Sequence, residues 1–426
     1  MLKRIDPCDV IMGMYIHKLE GSWLSHPFWR ARFLLNDVVK LDKLRRAAIP
    51  GIIIDTAKGC DVEGGSLADR DAPVPPPARQ PSKASRRKAW QTQPENAGPA
   101  SRRNATMPTA ATSVTREFGR AARVADHGAK AVSKVFFEMR LGKAIEAAVV
   151  TPLIDDILAS IQRNPHAFNG LMQCKRDTEY IYRHALAVSA LMISLGREMK
   201  LPPHQLRLAG LAGMLLDSGV SQLPVDLADY GGDHRQLPQD IGAQHVHLGH
   251  DFILHSRMAS EVAVACLEHH ERMDGTGFPH RKPGADLSLF GRMAAICDAY
   301  DTLADGAGGL DPAVVLDKMA QDVGAFDPEV MKSFVNAMGI YPIGTVVELQ
   351  SGRLAMVIDQ SASDLASPKV RAFYSLALAR PVTPEVIDLA HCYGADSIAR
   401  IADAAVSDLP DFARTKARML ALITKG

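Results

Sequence analysis

One stretch decides how the chain is interpreted, the run Glu268-His269-His270-Glu271-Arg272-Met273-Asp274-Gly275-Thr276-Gly277-Phe278-Pro279. It follows an apolar segment at 262–267 that is typical of a helix. Imidazole is a common metal ligand, and adjacent histidines at a helix end can both reach one ion. The glycines allow positive φ or close approach of the backbone to a ligand. The stretch indicates either a metal site or an exposed helix end that carries two histidines by chance.

Length and composition indicate an ordinary globular protein of more than one domain. The 426 residues are 47% hydrophobic and 23% charged, enough for two or three domains. A net charge of +1 gives no general attraction to polyanions, so we expect no specific nucleic-acid binding. Six cysteines without a CxxC pair are typical of a reducing compartment. No apolar run approaches the ~20 residues of a membrane helix, and we predict a cytoplasmic protein without a transmembrane segment.

The first segment is predicted to be a small α+β domain at residues 1–63. Apolar runs at 9–16 and 51–55 favour strands, and a helical pattern precedes the second of them. Aromatic residues at 23–29 are expected to form part of its core.

A predicted linker follows at residues 64–112. It contains a proline run at 73–77, which favours extended backbone. Between positions 79 and 103 it carries seven basic residues against one acidic residue. Basic segments of this kind are usually solvated, so we expect a solvated linker.

Residues 113–340 are predicted to form a helical domain. Apolar residues recur in alternating steps of four and three along 118–139, which indicates a helix with one narrow stripe. The stripe suits either an edge helix of a bundle or the seam of a homodimer, and both alternatives stay open. Further helical stripes separated by proline and glycine continue to about position 338, which favours a bundle.

The last segment, residues 341–426, is predicted to be a C-terminal extension. Residues 344–358 indicate a β-hairpin that turns at Ser351-Gly352, with a third strand at 370–374 and a final helix at 409–423. The predicted fold class is therefore mainly α, a helical bundle with a small α+β N-terminal domain and a small β-containing C-terminal extension.

Three parts of the chain resemble one known family. The pattern HHExxDGxGxP at 269–279 closely resembles the signature of the HD-GYP family, whose members hydrolyse cyclic di-GMP, with Phe278 in the place of tyrosine. The run GMYIHKLEGSWLSHPFW at 13–29, followed by IDTAKG, resembles a small domain of unknown function that often precedes HD-GYP domains. Tyr-Pro and Gly-x-x-Val-x-Leu at 341–349 resemble the family's C-terminal extension. The resemblance implies an HD-type helical bundle.

The resemblance also implies a metal site. The segment EYIYRH, which ends at His184, resembles the family's EYxYRH, and His245 stands four residues before a glycine, as in HPxxG. Asp217 occupies the aspartate position of the family's HDxGK. Six of the seven expected ligands are present: His184, Asp217, His245, His269, His270 and Asp298.

Three departures affect this site. Leu216 stands where the family has the histidine of HDxGK, and Val220 stands where it has lysine. Residues 305–309 replace an Arg-Pro-Tyr segment of the family. Leucine offers no lone pair to a metal, and the other two departures remove cations that would contact the nucleotide. Three further histidines match no ligand position: His247, His250 and His255.

In the family arrangement the ligands hold two ions. The missing histidine would serve one ion with His184, Asp217 and Asp298, and Asp217 would serve the other with His245, His269 and His270. Histidine and carboxylate ligands suit iron or manganese, so the implied cofactor is a divalent metal, as one or two ions. Paired ions generate a nucleophile from water at neutral pH, and Asp217 is the implied catalytic residue between them.

The resemblance assigns the loop after the histidine pair to the substrate. The implied substrate-loop residues are Arg272, Asp274, Gly275, Gly277, Phe278 and Pro279. For Arg272 and Asp274, a local ion pair is an equal alternative.

Two functions follow from these observations. The first is hydrolysis of cyclic di-GMP to the linear dinucleotide or GMP, weakened by the departures. The alternative is a degenerate HD-GYP domain that binds the nucleotide, or a signalling partner such as a diguanylate cyclase near Phe278, without hydrolysis. The retained histidine pair favours a functional surface, whereas Leu216 and Val220 argue against turnover.

Overall fold

The computed structural model describes residues 2–19, 33–36, 38, 41, 44–45, 51–61, 112–174, 179–230, 233–305, 310–361, 364–392, 394–402, 409 and 412–423. The chain divides into two compact units, residues 1–108 and 109–426. The predicted aromatic core at 23–29, nearly all of the predicted linker and positions 306–309 lie outside the described residues.

The first unit contains a four-stranded antiparallel sheet of β1 (Leu2–Ile5), β2 (Tyr15–Leu19), β3 (Phe33–Leu34) and β4 (Ile52–Asp55), in the order β1-β4-β2-β3. Strand β4 confirms the run predicted at 51–55, but the strand predicted at 9–16 begins only at Tyr15. Gly13 has φ +85° and its N–H donates to the carbonyl of Leu35, so the backbone turns there before it joins the sheet. Met14 and Ile16 lie in the core of this sheet.

The second unit is largely helical. Its α-helices, in chain order, are α1 (Val114–Arg140), α2 (Ala147–Arg163), α3 (Ala167–Cys174), α4 (Tyr180–Glu198), α5 (Pro203–Leu215), α6 (Gln239–Gly242), α7 (His245–His255), α8 (Ser260–Glu268), α9 (Leu289–Asp305), α10 (Pro312–Gln321), α11 (Pro328–Met338) and α12 (Phe412–Ala421).

Helix α4 lies at the centre of the bundle. Every residue from 183 to 196 is buried, and the helix contacts α1, α2, α3, α5, α9 and α11. A helix that is surrounded on all sides must be apolar around its whole circumference, and its sequence is rich in leucine, isoleucine and alanine. A polar side chain that projects from this buried stretch is therefore held in a dry environment with fixed neighbours. His184 is one of these side chains.

The apolar stripe of α1 is covered by the chain itself. Phe118, Ala125, Val132, Phe136 and Met139 are buried, and α1 contacts α2, α3 and α4. These contacts account for the stripe as that of an edge helix in a bundle. The alternative of a homodimer through this helix stays a prediction.

A buried ion pair fastens α1 to α2. The carboxylate of Glu117 is fully buried and accepts hydrogen bonds from Ser160 Oγ at 2.8 Å and from Arg163 Nε and Nη2 at 2.8 and 2.7 Å. Replacing Glu117 by alanine leaves a largely buried guanidinium without its counter-charge, so we expect the free energy of unfolding to fall by about 3–5 kcal/mol. Urea denaturation measures this change.

Glu138→Ala is the matched control on the same helix. Its carboxylate pairs with Lys134 at 3.9 Å on the surface, and such pairs contribute only about 0.3–0.5 kcal/mol. Equal losses in the two variants would show that the buried pair does not fasten the helices.

The C-terminal part forms a second antiparallel sheet of β5 (Val346–Leu349), β6 (Arg353–Asp359), β7 (Lys369–Ser375), β8 (Arg380–Asp388) and β9 (Ile398–Ile401), ordered β8-β7-β6-β5-β9. The predicted hairpin is β5 and β6, and its turn contains Gly352 at φ +70°.

The predicted fold class is confirmed: the chain is mainly α, with a small sheet towards each end. Among the described helices, none is both long and apolar enough to cross a membrane.

Candidate metal centre

Five helical elements bring the six predicted ligands together. His184 projects from the second turn of α4 and Asp298 from α9, whereas Asp217 lies just beyond the end of α5, after its C-cap residue Leu216. His245 is the first residue of α7. His269 and His270 directly follow α8. All but His270 are buried, and 28% of the His270 side chain is exposed.

Asp217 lies at the centre of the group. Its Oδ1 atom is 3.4 Å from His245 Nε2 and 3.6 Å from His269 Nε2. Its Oδ2 atom is 3.4 Å from His184 Nε2, which in turn lies 3.0 Å from Asp298 Oδ1. The two carboxylate oxygens therefore face two different sets of ligands, as a carboxylate shared between two cations would.

Two groups of donors with close ligand atoms share this aspartate. Site A consists of His184, Asp217 and Asp298, and site B consists of Asp217, His245, His269 and His270. Within each site, the ligand atoms all lie within 4.8 Å of one another. The predicted division of the ligands between two ions therefore corresponds to two adjoining places in the structure.

Hydrogen bonds on the far side of the rings orient the ligands. The Nδ1–H groups of His245 and His269 donate to the carbonyls of Gly242 and Cys266, at 2.6 and 2.7 Å. In their neutral forms the two rings present the lone pair of Nε2, and these two Nε2 atoms are only 3.2 Å apart. Two lone pairs at that distance repel each other unless a cation or a proton lies between them. The donor arrangement thus fits a metal ion, and such outer contacts are typical of metal-binding histidines.

The charge state of the site also suits a cation. Burial disfavours ionisation of Asp217, but His234, His269 and His184 outweigh burial and hold its pKa well below the usual range. Burial lowers the pKa of His245 to about 4 and holds that of His270 well below its usual range. Burial also disfavours the charged forms of His184 and His269, but Tyr180, Asp298 and Asp301 hold the pKa of His184 well above its usual range, and Asp217 and Asp298 raise that of His269. At neutral pH the centre therefore offers an ionised carboxylate at Asp217 and neutral imidazoles at His245 and His270, the forms that bind metals, and a cation would displace the protons held by His184 and His269.

The residues that replace the family's histidine and lysine are packed into the core. Leu216 is buried, and its carbonyl accepts a hydrogen bond from Cys266 Sγ at 3.0 Å. Val220 is buried in the 3₁₀ turn at 218–222. Neither side chain contributes a donor to the centre.

Two glutamates that sequence reasoning missed hold the loop after the histidine pair. Glu271 is buried, and its carboxylate accepts from the backbone N–H groups of His280 and Lys282, at 2.7 and 3.2 Å. Glu268 accepts from Lys282 Nζ at 2.8 Å and from Ser288 N–H at 2.9 Å. A buried carboxylate needs such partners, but the sequence does not show which donors will be near it.

The predicted substrate loop is largely self-bonded. Arg272 forms ion pairs with Asp274 at 3.1 Å and Asp322 at 2.9 Å, which is the local alternative left open by the sequence. Phe278 stacks on the His270 ring with centroids 4.6 Å apart. Gly275 has φ +74°, and the peptide bond before Pro279 is cis. Contact of these residues with a substrate stays a prediction.

Two further residues near the centre were missed. Asp301 Oδ2 lies 2.8 Å from His184 Nδ1, and its position three residues after Asp298 on a predicted helix was a usable signal. His234, on the 3₁₀ turn His234–Gln236, places Nε2 3.7 Å from Asp217 Oδ2. Its only signal was a histidine between predicted helices.

Comparisons with known proteins agree with the geometry. Residues 156–330 match the family described as HD domain, and residues 2–150 match a domain of unknown function, DUF3391. The chain is 36% identical to the cyclic di-GMP phosphodiesterase PA4108 of Pseudomonas aeruginosa over 93% of its own length and 91% of that protein.

More distant relatives are similar over parts of the chain. The cyclic di-GMP phosphodiesterase PdeB of Borreliella burgdorferi is 21% identical, covering 46% of this chain and 53% of PdeB. The 3′3′-cGAMP-specific phosphodiesterase 2 of Vibrio cholerae is 28% identical, covering 38% and 35%. The chain has an HD domain, a DUF3391 domain before it, and a relative that is similar along almost its whole length. This protein therefore belongs to the HD-GYP family.

Proposed function

We propose that the protein is a metal-dependent phosphodiesterase that acts on cyclic di-GMP in bacterial signalling. The observation that carries the proposal is the pair of adjoining donor groups, sites A and B, that share the carboxylate of Asp217. The names of the relatives supply the substrate, and the donor groups supply the means to hydrolyse a phosphodiester.

The donors at both sites are imidazole nitrogens and carboxylate oxygens, which suit iron or manganese. When bound, such ions lower the pKa of water and neutralise charge on phosphoryl oxygens. The chain's own contribution is orientation: the bonds from His245 and His269 to main-chain carbonyls point their Nε2 atoms inwards. Asp217 remains ionised between the two sites because several imidazoles surround it.

The substrate phosphate should approach from the side of His270. Each of His184, Asp217 and His269 is at most 5% exposed, whereas 28% of the His270 side chain is exposed. The ring of Phe278 stacks against that histidine and is half-buried. An aromatic ring at the opening can stack a guanine base, because every base has a π-face.

A second candidate function is binding of cyclic di-GMP or of a signalling partner, such as a diguanylate cyclase, without hydrolysis. Leu216 and Val220 favour it because both are buried apolar side chains where the family has a ligand and a cation. Site B does not involve either position, so one ion at site B without turnover is the state that this function implies.

One experiment separates the two functions. The full-length chain is purified without oxygen, loaded with manganese or iron, and assayed for bound metal and for conversion of cyclic di-GMP to the linear dinucleotide and GMP. We expect bound metal and turnover that a chelator abolishes. Metal binding without turnover would support the second function, and a chain without bound metal would refute the proposed site. Parallel assays with 3′3′-cGAMP show which cyclic dinucleotide is preferred.

A further inference from the structure

We propose that His234 supplies the fourth ligand of site A. It would then take the role of the family's histidine, whose position is occupied by Leu216. The inference rests on the proposed function, because it assumes that sites A and B hold metal. It goes further by assigning a ligand from a segment outside every motif that identified the family. The imidazole that is absent at position 216 would then be supplied by a residue from a different segment of the chain.

The position of His234 relative to the two oxygens of Asp217 carries the proposal. His245 and His269 face Oδ1, the oxygen on the side of site B. His184 and His234 face Oδ2, at 3.4 and 3.7 Å. The fourth imidazole thus lies on the side of site A, where the family's own histidine is missing.

The distance between His234 and Asp217 is short enough for both to bind a common ion. Ligand atoms lie about 2.0–2.2 Å from a first-row ion, so two donors of one ion lie at most about 4.4 Å apart. The 3.7 Å between His234 Nε2 and Asp217 Oδ2 is within that limit. His234 is absent from the groups whose ligand atoms all lie within 4.8 Å, so coordination requires its ring to move inwards towards Asp298 or His184.

Among the residues that the structure describes, no other polar contact explains why His234 is directed into the centre. Only 12% of its side chain is exposed, and its Nδ1 atom is buried without a hydrogen-bond partner among the described residues. A buried histidine that serves only the fold normally has partners for its polar atoms. The near approach of Nε2 to Asp217 is therefore the main polar interaction of this ring.

The surrounding contacts hold the 3₁₀ turn over helix α4. The Asp233 carboxylate accepts a hydrogen bond from Arg235 N–H at 3.0 Å. The Arg235 guanidinium lies 3.6 Å from the centroid of the Tyr180 ring. Tyr180 is stacked on His184, with ring centroids 5.2 Å apart. The turn that carries His234 is thus fastened next to the ligand with which it would share an ion.

Counting bound ions tests the assignment without relying on catalysis. Full-length wild type, His234→Ala and the control His250→Ala are loaded with Mn²⁺, freed of excess ion and analysed for manganese per chain. His250 is a matched control because it lies on α7 and bonds the exposed Asp251 rather than the centre. We expect two ions in wild type and in the control, and one in His234→Ala.

Electron paramagnetic resonance of the same samples gives an independent measurement. Two adjacent Mn²⁺ ions should give an exchange-coupled signal in wild type, and His234→Ala should give only the spectrum of an isolated ion. Titration should show the affinity for the second ion reduced more than about 100-fold, since even outer contacts of ligands typically contribute 10–100-fold. Thermal unfolding without metal verifies the fold, and His234→Gln replaces the alanine variant if that variant does not fold.

The outcomes separate the inference from the proposed function. Two ions in His234→Ala, or one ion in both that variant and wild type, would overturn the assignment of His234. A wild type without any bound manganese would instead refute the metal site itself. Adding Leu216→His to His234→Ala should restore the second ion, and failure to restore it would count against a site A that His234 completes.

Discussion

Replacing Asp217 by asparagine should remove both ions and abolish hydrolysis. Both donor groups include this residue, with Oδ1 facing His245 and His269 and Oδ2 facing His184. Asparagine preserves the volume, but it removes the negative charge and turns one oxygen into an N–H₂ donor. We expect metal affinity and turnover to fall by more than the roughly 10–100-fold that follows loss of an outer contact. Metal analysis and the cyclic di-GMP assay measure both.

Asp251→Asn is the control for this substitution. Asp251 lies on α7, the helix that begins with His245, but 81% of its side chain is exposed and it pairs only with His250 among the contacts described. This variant should keep wild-type metal content and turnover. If Asp217→Asn also retained two ions, the carboxylate would not be shared between the sites and the proposed centre would be wrong.

Gly277→Ala should disrupt site B from a position that contacts no ligand atom. A Cβ atom there would lie 2.5 Å from both the main-chain nitrogen of Arg272 and the main-chain carbonyl oxygen of His270. These are main-chain atoms that cannot rotate away, so the loop or the backbone of His270 must move. We expect a loss of about 1–3 kcal/mol in stability from overpacking. A ligand shift near 1 Å can reduce turnover by about 100-fold.

Gly119→Ala is the control, because it makes the same chemical change at a position where the added methyl group meets no neighbour. Nothing lies within 4 Å of a Cβ at this position on α1, and alanine in a helix is more stable than glycine by about 0.5–1 kcal/mol. Denaturant titration and metal analysis compare the variants. Unchanged metal binding in Gly277→Ala would show that the loop does not position His270.

The fold class was predictable because periodicity reports which faces of an element are buried. The stripe along 118–139 predicted helix α1, and Gly352 with its flanking strands predicted the hairpin of β5 and β6. The strand predicted at 9–16 was misplaced because the backbone turns at Gly13 to bond Leu35. A pattern of apolar residues does not reveal a contact with a residue more than 20 positions away.

The sequence at 268–279, together with the segments around His184, Asp217, His245 and Asp298, was sufficient to identify the family. It was also sufficient to name the candidate metal ligands. Its histidine pair is adjacent in sequence, so one helix end brings both rings to the centre. The lost histidine was equally visible, because Leu216 directly precedes Asp217.

Only the tertiary structure decided which groups surround each oxygen of Asp217. Helices α4, α5 and α9 pack so that His184 meets Asp217 and Asp298, and the separate 3₁₀ turn brings His234 to the same side. The buried bonds of Glu271 likewise depend on how the loop folds back over α8. Short motifs in the sequence indicate which residues are candidate ligands. Ligand position is a distance between side chains of different elements, and the packing of those elements determines it.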